Sequence, residues 1–252
     1  MNENESESLP SEFVAAWHSA GEHIQGVGQD GVHWLRASLN PPLEEHLSFR
    51  FGNQLFFVYV EIDVFPFEEM RKDTFLDVAH EATATPCILK MVNIHGVFKP
   101  AHPGWGLVHA IAGSAVNPDD MVSDQLIEMS DWELHDFAIQ FVRSHLENEG
   151  IKVFTTQPSF HSDPSVWFEE KGNPCWVVVR AARYPKKSAD QPANLADIKE
   201  ACSSIGAKGF FASVVAANAD NPFDVFAEIN GNYLPLYRGH GLTVEFDGIV
   251  PV

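Results

Sequence analysis

The sequence predicts an α+β protein made of two tandem α-β-β-β-α-β modules, each with helices packed on a mainly antiparallel or mixed sheet. Three observations predict it. The segment HWLRASLNPPLEEHLSFRFGNQLFFVYVEIDV from His33 and the segment KVFTTQPSFHSDPSVWFEEKGNPCWVVVRAAR from Lys152 share one order of strands, loops and turns at an offset of 119 residues. Helical apolar spacing before each segment gives way to continuous apolar runs within it, the signature of a helix followed by buried strands. A chain of 252 residues at 45% hydrophobic content carries enough apolar surface for two cores. Identities between the copies are few, so the order of elements carries the repeat.

The first copy opens with Phe13, Ala16, Trp17, Ala20 and Ile24, which share one face of a helix. A short strand from His33 to Ala37 leads through a Pro-containing loop to a strand around Phe49, a turn at Gly52-Asn53 and the long strand LFFVYVEIDV. The second copy opens with Leu134, Phe137, Ala138, Phe141 and Leu146, preceded by a capping box of Ser130 and Glu133 and stopped near Gly150. Its strands run from Lys152 to Thr156, around Phe168, and, after a turn at Gly172-Asn173, along CWVVVRAAR. Each copy then has a short helix, TFLDVAHEA or NLADIKEACSS. Thr74 and Asp77 in one match Asn194 and Asp197 in the other, each pair read as an N-cap plus a first-turn acid. The strands CILKMVNI and GFFASVVAAN follow. Late in each copy, Gly104-Trp105-Gly106-Leu107 stands opposite Gly239-His240-Gly241-Leu242. The expected domains are residues 1–115 and 130–252, joined by an acidic linker over 116–129.

With 16 Lys plus Arg against 35 Asp plus Glu, the net charge is −19. Phosphate binding needs clustered cations, and no cluster exceeds Lys186-Lys187, so nucleic acid is excluded as an expected partner. No run approaches the roughly 18 apolar residues of a membrane span, and the acidic start MNENESESL is unlike a secretory signal. Cys87, Cys175 and Cys202 form no CxxC pair; they read as buried thiols in a reducing cytoplasm. No cofactor is expected. His18 and His23 lie five apart, and His95, His102 and His109 recur every seven residues; neither spacing suits a metal. The glycines from Gly21 to Gly31 follow a helix and precede a strand, the reverse of a phosphate loop.

The helix ending in SHLENEGIKVF, the loop carrying Asp163, the strand WVVVRAARYP, the helix IKEACSSIGA and the strand KGFFASVV resemble the core of the PD-(D/E)XK restriction-endonuclease-like superfamily over residues 130 to 217. The resemblance implies an Asp opening the second strand and an acid-x-Lys on the third, together holding a divalent metal that activates water. Here Asp163-Pro164 stands in the reversed order, and Val178-Val179-Arg180 occupies the acid-x-Lys place. The first copy offers Glu44 or Glu45, then Tyr59-Val60-Glu61 with Asp63 beyond, and lacks the Lys. Glu61 and Asp63 alternate onto one strand face, where they either bind a cation or simply end the strand. The order of elements, the acidity and the module size also resemble class I type III secretion chaperones, which implies protein binding without catalysis.

Trp105, Tyr233, Tyr237 and His240 lie in Pro- and Gly-rich segments and form the candidate binding surface; the same residues would also serve to cover the end of a sheet. The expectation is therefore a non-catalytic cytoplasmic protein that binds another protein in the manner of an immunity protein or a chaperone; the charge reads either as simple solubility or as a docking surface for a basic partner, and the chaperone resemblance implies a secreted one. The competing expectation is a divalent-metal-dependent nuclease-like hydrolase using Glu44, Glu61 and Asp63, or a rearranged set around Asp163.

Overall fold

A computed structural model describes residues 10–36, 46–64, 69–157, 162–203 and 207–252, of which 69–71 by backbone only. The chain divides into two compact units, Met1–Gln125 and Leu126–Val252. Each is a sheet with helices, so the class is α+β.

The first unit runs α1 (Ser11–Gly28), β1 (Val32–Arg36), β2 (Leu47–Phe51), β3 (Gln54–Glu61), α2 (Glu69–Glu81), β4 (Thr85–Ile94), β5 (Val97–Pro100), β6 (Leu107–His109), β7 (Ala115–Val116) and α3 (Pro118–Met121). Its sheet is ordered β1-β2-β3-β4-β6-β7, and β5 also pairs with β4. The second unit runs α4 (Asp131–Asn148), β8 (Lys152–Thr156), β9 (Val166–Glu170), β10 (Asn173–Arg183), α5 (Leu195–Ser203), β11 (Lys208–Asn218), α6 (Val225–Asn230), β12 (Leu242–Glu245) and β13 (Ile249–Pro251). Its order is β8-β9-β10-β11-β12, with β13 also on β11. Both sheets are mixed: β3 and β4, like β10 and β11, are parallel, and the other ladders are antiparallel.

The registers repeat residue for residue. Trp34 faces Phe49, which faces Phe56; at an offset of 119, Val153 faces Phe168, which faces Cys175. Even the irregularity in the first ladder recurs, between Trp34 and Arg36 in one unit and between Val153 and Thr155 in the other. Bulges are specific structural devices, so a bulge at the same place in both sheets ties the copies more closely than composition does. The fourth strands match as well. Val58 faces Cys87 and Val177 faces Phe210, and on the far side Cys87 faces His109 where Phe210 faces Pro251.

The continuous apolar strands are buried on both faces because helices cover both. On one face of the first sheet, Phe56, Val58, Val60, Cys87, Leu89 and Met91 form a cluster with the predicted α1 residues Phe13, Ala16, Trp17, Ala20 and Ile24. On the other, Tyr59 meets Phe75 of α2, ring centroids 6.1 Å apart. In the second unit Cys175, Val177 and Val179 pack with Ala138, Ile139, Val142 and Leu146 of α4, while Trp176 and Val178 pack with Ile198 and Cys202 of α5. Alternation along one strand thus feeds two cores.

Several sequence readings shift. Phe137 and Phe141 are only half-buried. α2 begins at Glu69, so Thr74 is inside the helix rather than its cap. The counterpart of Gly52-Asn53 is Lys171-Gly172, since Phe51 pairs with Gln54 and Glu170 with Asn173. The Gly-x-Gly-Leu segments are not equivalent: Leu107 pairs with Leu89 midway along β4, whereas Leu242 pairs with Asn218 at the end of β11. Of residues 116–129, Val116 belongs to β7 and Pro118–Met121 form α3, while Glu128 bridges to Tyr237.

Candidate functional site

The units differ where the fourth strand turns back. In the first, β4 and β5 join through His95-Gly96, both at positive φ (54° and 87°), as a tight hairpin requires. In the second, residues 219–241 are inserted between β11 and β12. The insertion carries α6. Asp224 caps this helix, its Oδ1 accepting from the backbone N–H of Phe226 at 2.8 Å and of Ala227 at 3.3 Å, and Gly231 ends it in the left-handed region at φ 68°.

One side of α6 is anchored. Ala227 is buried, and the carboxylate of Glu228 accepts from the Tyr184 hydroxyl at 2.9 Å and from the Lys187 ammonium at 2.7 Å. Lys187 also lies 4.5 Å above the Tyr184 ring. The hydrogen bond from Lys187 holds the Glu228 carboxyl below its usual range, and the same bond raises the Lys187 ammonium. Desolvation, followed by the Glu228 hydrogen bond, raises the Tyr184 hydroxyl. Further along, Arg238 grips Glu133 of α4 with Nε at 2.9 Å and Nη2 at 2.7 Å, and both side chains are buried. Asn218 donates to the Pro235 carbonyl at 2.8 Å.

The other side is bare. Phe226 is 78% exposed, Ile229 74%, Val225 58%, and Tyr233 and Leu234 42% each. Around a helix Val225, Phe226 and Ile229 share one arc, opposite Ala227. Of the residues singled out from sequence, Tyr233 is exposed on the same insertion. Tyr237 and His240 meet edge to face, ring centroids 5.8 Å apart, on the same insertion.

Trp105 belongs to the core of the first unit instead. It is 5% exposed and stacks parallel on Phe49 at 6.0 Å; its Nε1 donates to Asp119 at 2.8 Å. A large apolar ring with its one donor satisfied has every reason to be buried, so Trp105 offers no open surface.

The acidic candidates also separate. Asp163 receives Arg180 on both oxygens, Nη1 to Oδ1 at 3.1 Å and Nη2 to Oδ2 at 2.5 Å. Asp163 also lines an open recess of about 450 Å³, with Ser162, Pro164, Trp167 and Cys202 among its walls. In the first unit Lys90 stands 3.8 Å from Glu61 and 3.2 Å from Asp63, because the parallel register places Lys90 beside Glu61. Glu44 lies outside the described residues. Among the described residues no group of three or more His, Cys, Asp or Glu is arranged to hold a metal ion. The three cysteines are free and buried, and burial pushes the Cys87 thiol up to about 12.

Phe226 and Ile229 were missed by motif reading because two apolar residues in an Asn- and Gly-rich stretch form no pattern. The available signal was the second copy's excess length between its last long strand and its terminal segment.

Comparison with known proteins locates the second unit alone. Residues 132–252 match the model of a family described as a domain of unknown function, DUF8840. This span runs from the start of α4 to the end of the chain and includes the insertion. No curated protein and no solved structure matches the chain. Among the described residues no helix is long and apolar enough to cross a membrane.

Proposed function

We propose that this is a non-catalytic cytoplasmic protein that acts by binding another protein, in the manner of an immunity protein or a chaperone-like partner. The observation that carries the reading is the Asp163–Arg180 pair. Where the nuclease resemblance puts a metal-holding carboxylate, an internal cation engages both oxygens, and the acid expected two residues before Arg180 is Val178. A carboxylate saturated by a guanidinium has little left to give a metal. Both units are acidic, with 18 acids against 6 bases (net −12) in residues 1–125 and 17 against 10 (net −7) in 126–252. Charge of one sign over both units speeds encounter with a basic partner and disfavours acidic ones.

The test has two arms. Millimolar magnesium or manganese is expected to leave the melting temperature unchanged; a metal at a hundredfold excess over its Kd would add about 2.7 kcal/mol. Capture from the protein's own cell extract at low salt is expected to recover a partner that high salt releases. Metal-dependent cleavage of DNA that disappears in Asp163→Asn would overturn the reading.

One observation favours the rival hydrolase. Lys90 stands across the ladder, next to Glu61 and Asp63, where it would take the place of the lysine missing from the third strand. On that reading Glu61→Ala and Lys90→Ala each abolish a metal-dependent activity of the wild-type chain. No activity to lose, or activity unchanged in both variants, removes it.

A further inference from the structure

We infer that the bare face of α6 is the docking surface for a short basic amphipathic segment of another protein. The inference rests on the protein-binding reading and adds the place and chemistry of contact. The two units supply an internal control: the same strand junction is a two-residue turn in one and residues 219–241 in the other. The fold therefore does not need the insertion, yet the insertion is firmly held by Glu228, by the buried Arg238–Glu133 pair and by the bond from Asn218 to the Pro235 carbonyl. An element that is braced on one side and apolar on the other is built to present that side.

Size and charge choose the occupant. Val225, Phe226 and Ile229, at their observed exposures on one arc of α6, present an apolar area on the order of a few hundred Å², within the range of the largest patch on a monomer, and Tyr233 and Leu234 are exposed further along the same insertion. A stable dimer needs about 800 Å² from each partner, and two chains of net charge −19 repel, so a second copy fits poorly. A helical segment placing apolar residues at i, i+3, i+4 and i+7 needs only a patch of this size. Asp224, directly before Val225, and Asp220, on the same insertion, are exposed and enter no ion pair among the described residues. They would meet cations on the segment's polar flank.

The experiment titrates the full chain against two fluorescent helix-forming peptides, one of Leu and Lys and one of Leu and Glu, with identical leucine spacing. The wild type is expected to bind the Leu/Lys peptide and not the Leu/Glu peptide. The double variant Phe226→Ser with Ile229→Ser is expected to weaken binding at least about tenfold with an unchanged melting temperature, since both side chains face solvent. Asp220→Lys is expected to weaken binding less and flatten its salt dependence. Equal binding by the wild type and the double variant overturns the inference, because attraction would then come from net charge alone. So does no binding by the wild type, or a wild-type dimer that the double variant converts to a monomer. A cellular partner captured equally well by the double variant also overturns it, while leaving the protein-binding reading intact.

Discussion

At the scale of single residues, the two sheets are held to close tolerances. Gly209 faces Trp176 across the parallel ladder, and a Cβ there would come within 2.2 Å of the indole. The ring is 1% exposed and cannot swing out without emptying the core between β10 and α5. Gly209→Ala is therefore expected to cost roughly 1–3 kcal/mol by overpacking, read as a lower midpoint in urea. Cys87 is a case of burial acting on chemistry. Its thiol titrates near 12 when folded, against the ordinary 9.0, so the folded state holds its proton where the unfolded chain has lost it. Its contribution is whole below about pH 9 and declines as pH rises toward 12, by about 1.4 kcal/mol per unit. The stability difference between wild type and Cys87→Ala should shrink accordingly in alkaline denaturation series; a constant difference from pH 8 to about pH 11 would sink the assignment.

At the scale of elements, α4 shows how one residue serves two contacts. Ser130 and Glu133 close the predicted capping box, with Glu133 Oε2 2.8 Å from the Ser130 N–H, and Glu133 also receives Arg238 from the insertion. Ser130→Ala should remove about 1 kcal/mol, the usual worth of a cap. Arg238→Ala leaves a buried carboxylate without its cation and is expected to cost roughly 3–5 kcal/mol, measured by chemical denaturation of the same chain. The capping box was legible because both partners sit within one turn. The ion pair was not, since 105 residues separate Glu133 from Arg238. The same distinction explains α6: its cap Asp224 and stop Gly231 are local signals, but which side faces solvent depends on Tyr184 and Lys187, far away in sequence.

At the scale of the whole molecule, two units of one design each bury their own core. The family match over residues 132–252 begins just inside the second unit. A fragment of residues 126–252 is expected to unfold cooperatively by circular dichroism, because among the described residues the core clusters built on β10 and β11 are made from the unit's own residues. A fragment without a cooperative transition would show that the unit depends on the rest of the chain.

The class, the repeat and the inner face of α1 were readable from the residues in order, because each follows from period and order within short windows. The same order located Tyr233, Tyr237 and His240 on one segment. The rest came from the packing of distant segments. That packing buried Trp105, which Pro and Gly neighbours had marked as a loop aromatic, because Phe49 and Asp119 converge on the ring from distant elements. It brought Lys90 to Glu61 and Arg180 to Asp163, since neighbours across strands and loops are set by register rather than by spacing. Burial is a sum over contacts from the whole fold, and a local pattern reports only the part of that sum its own element supplies.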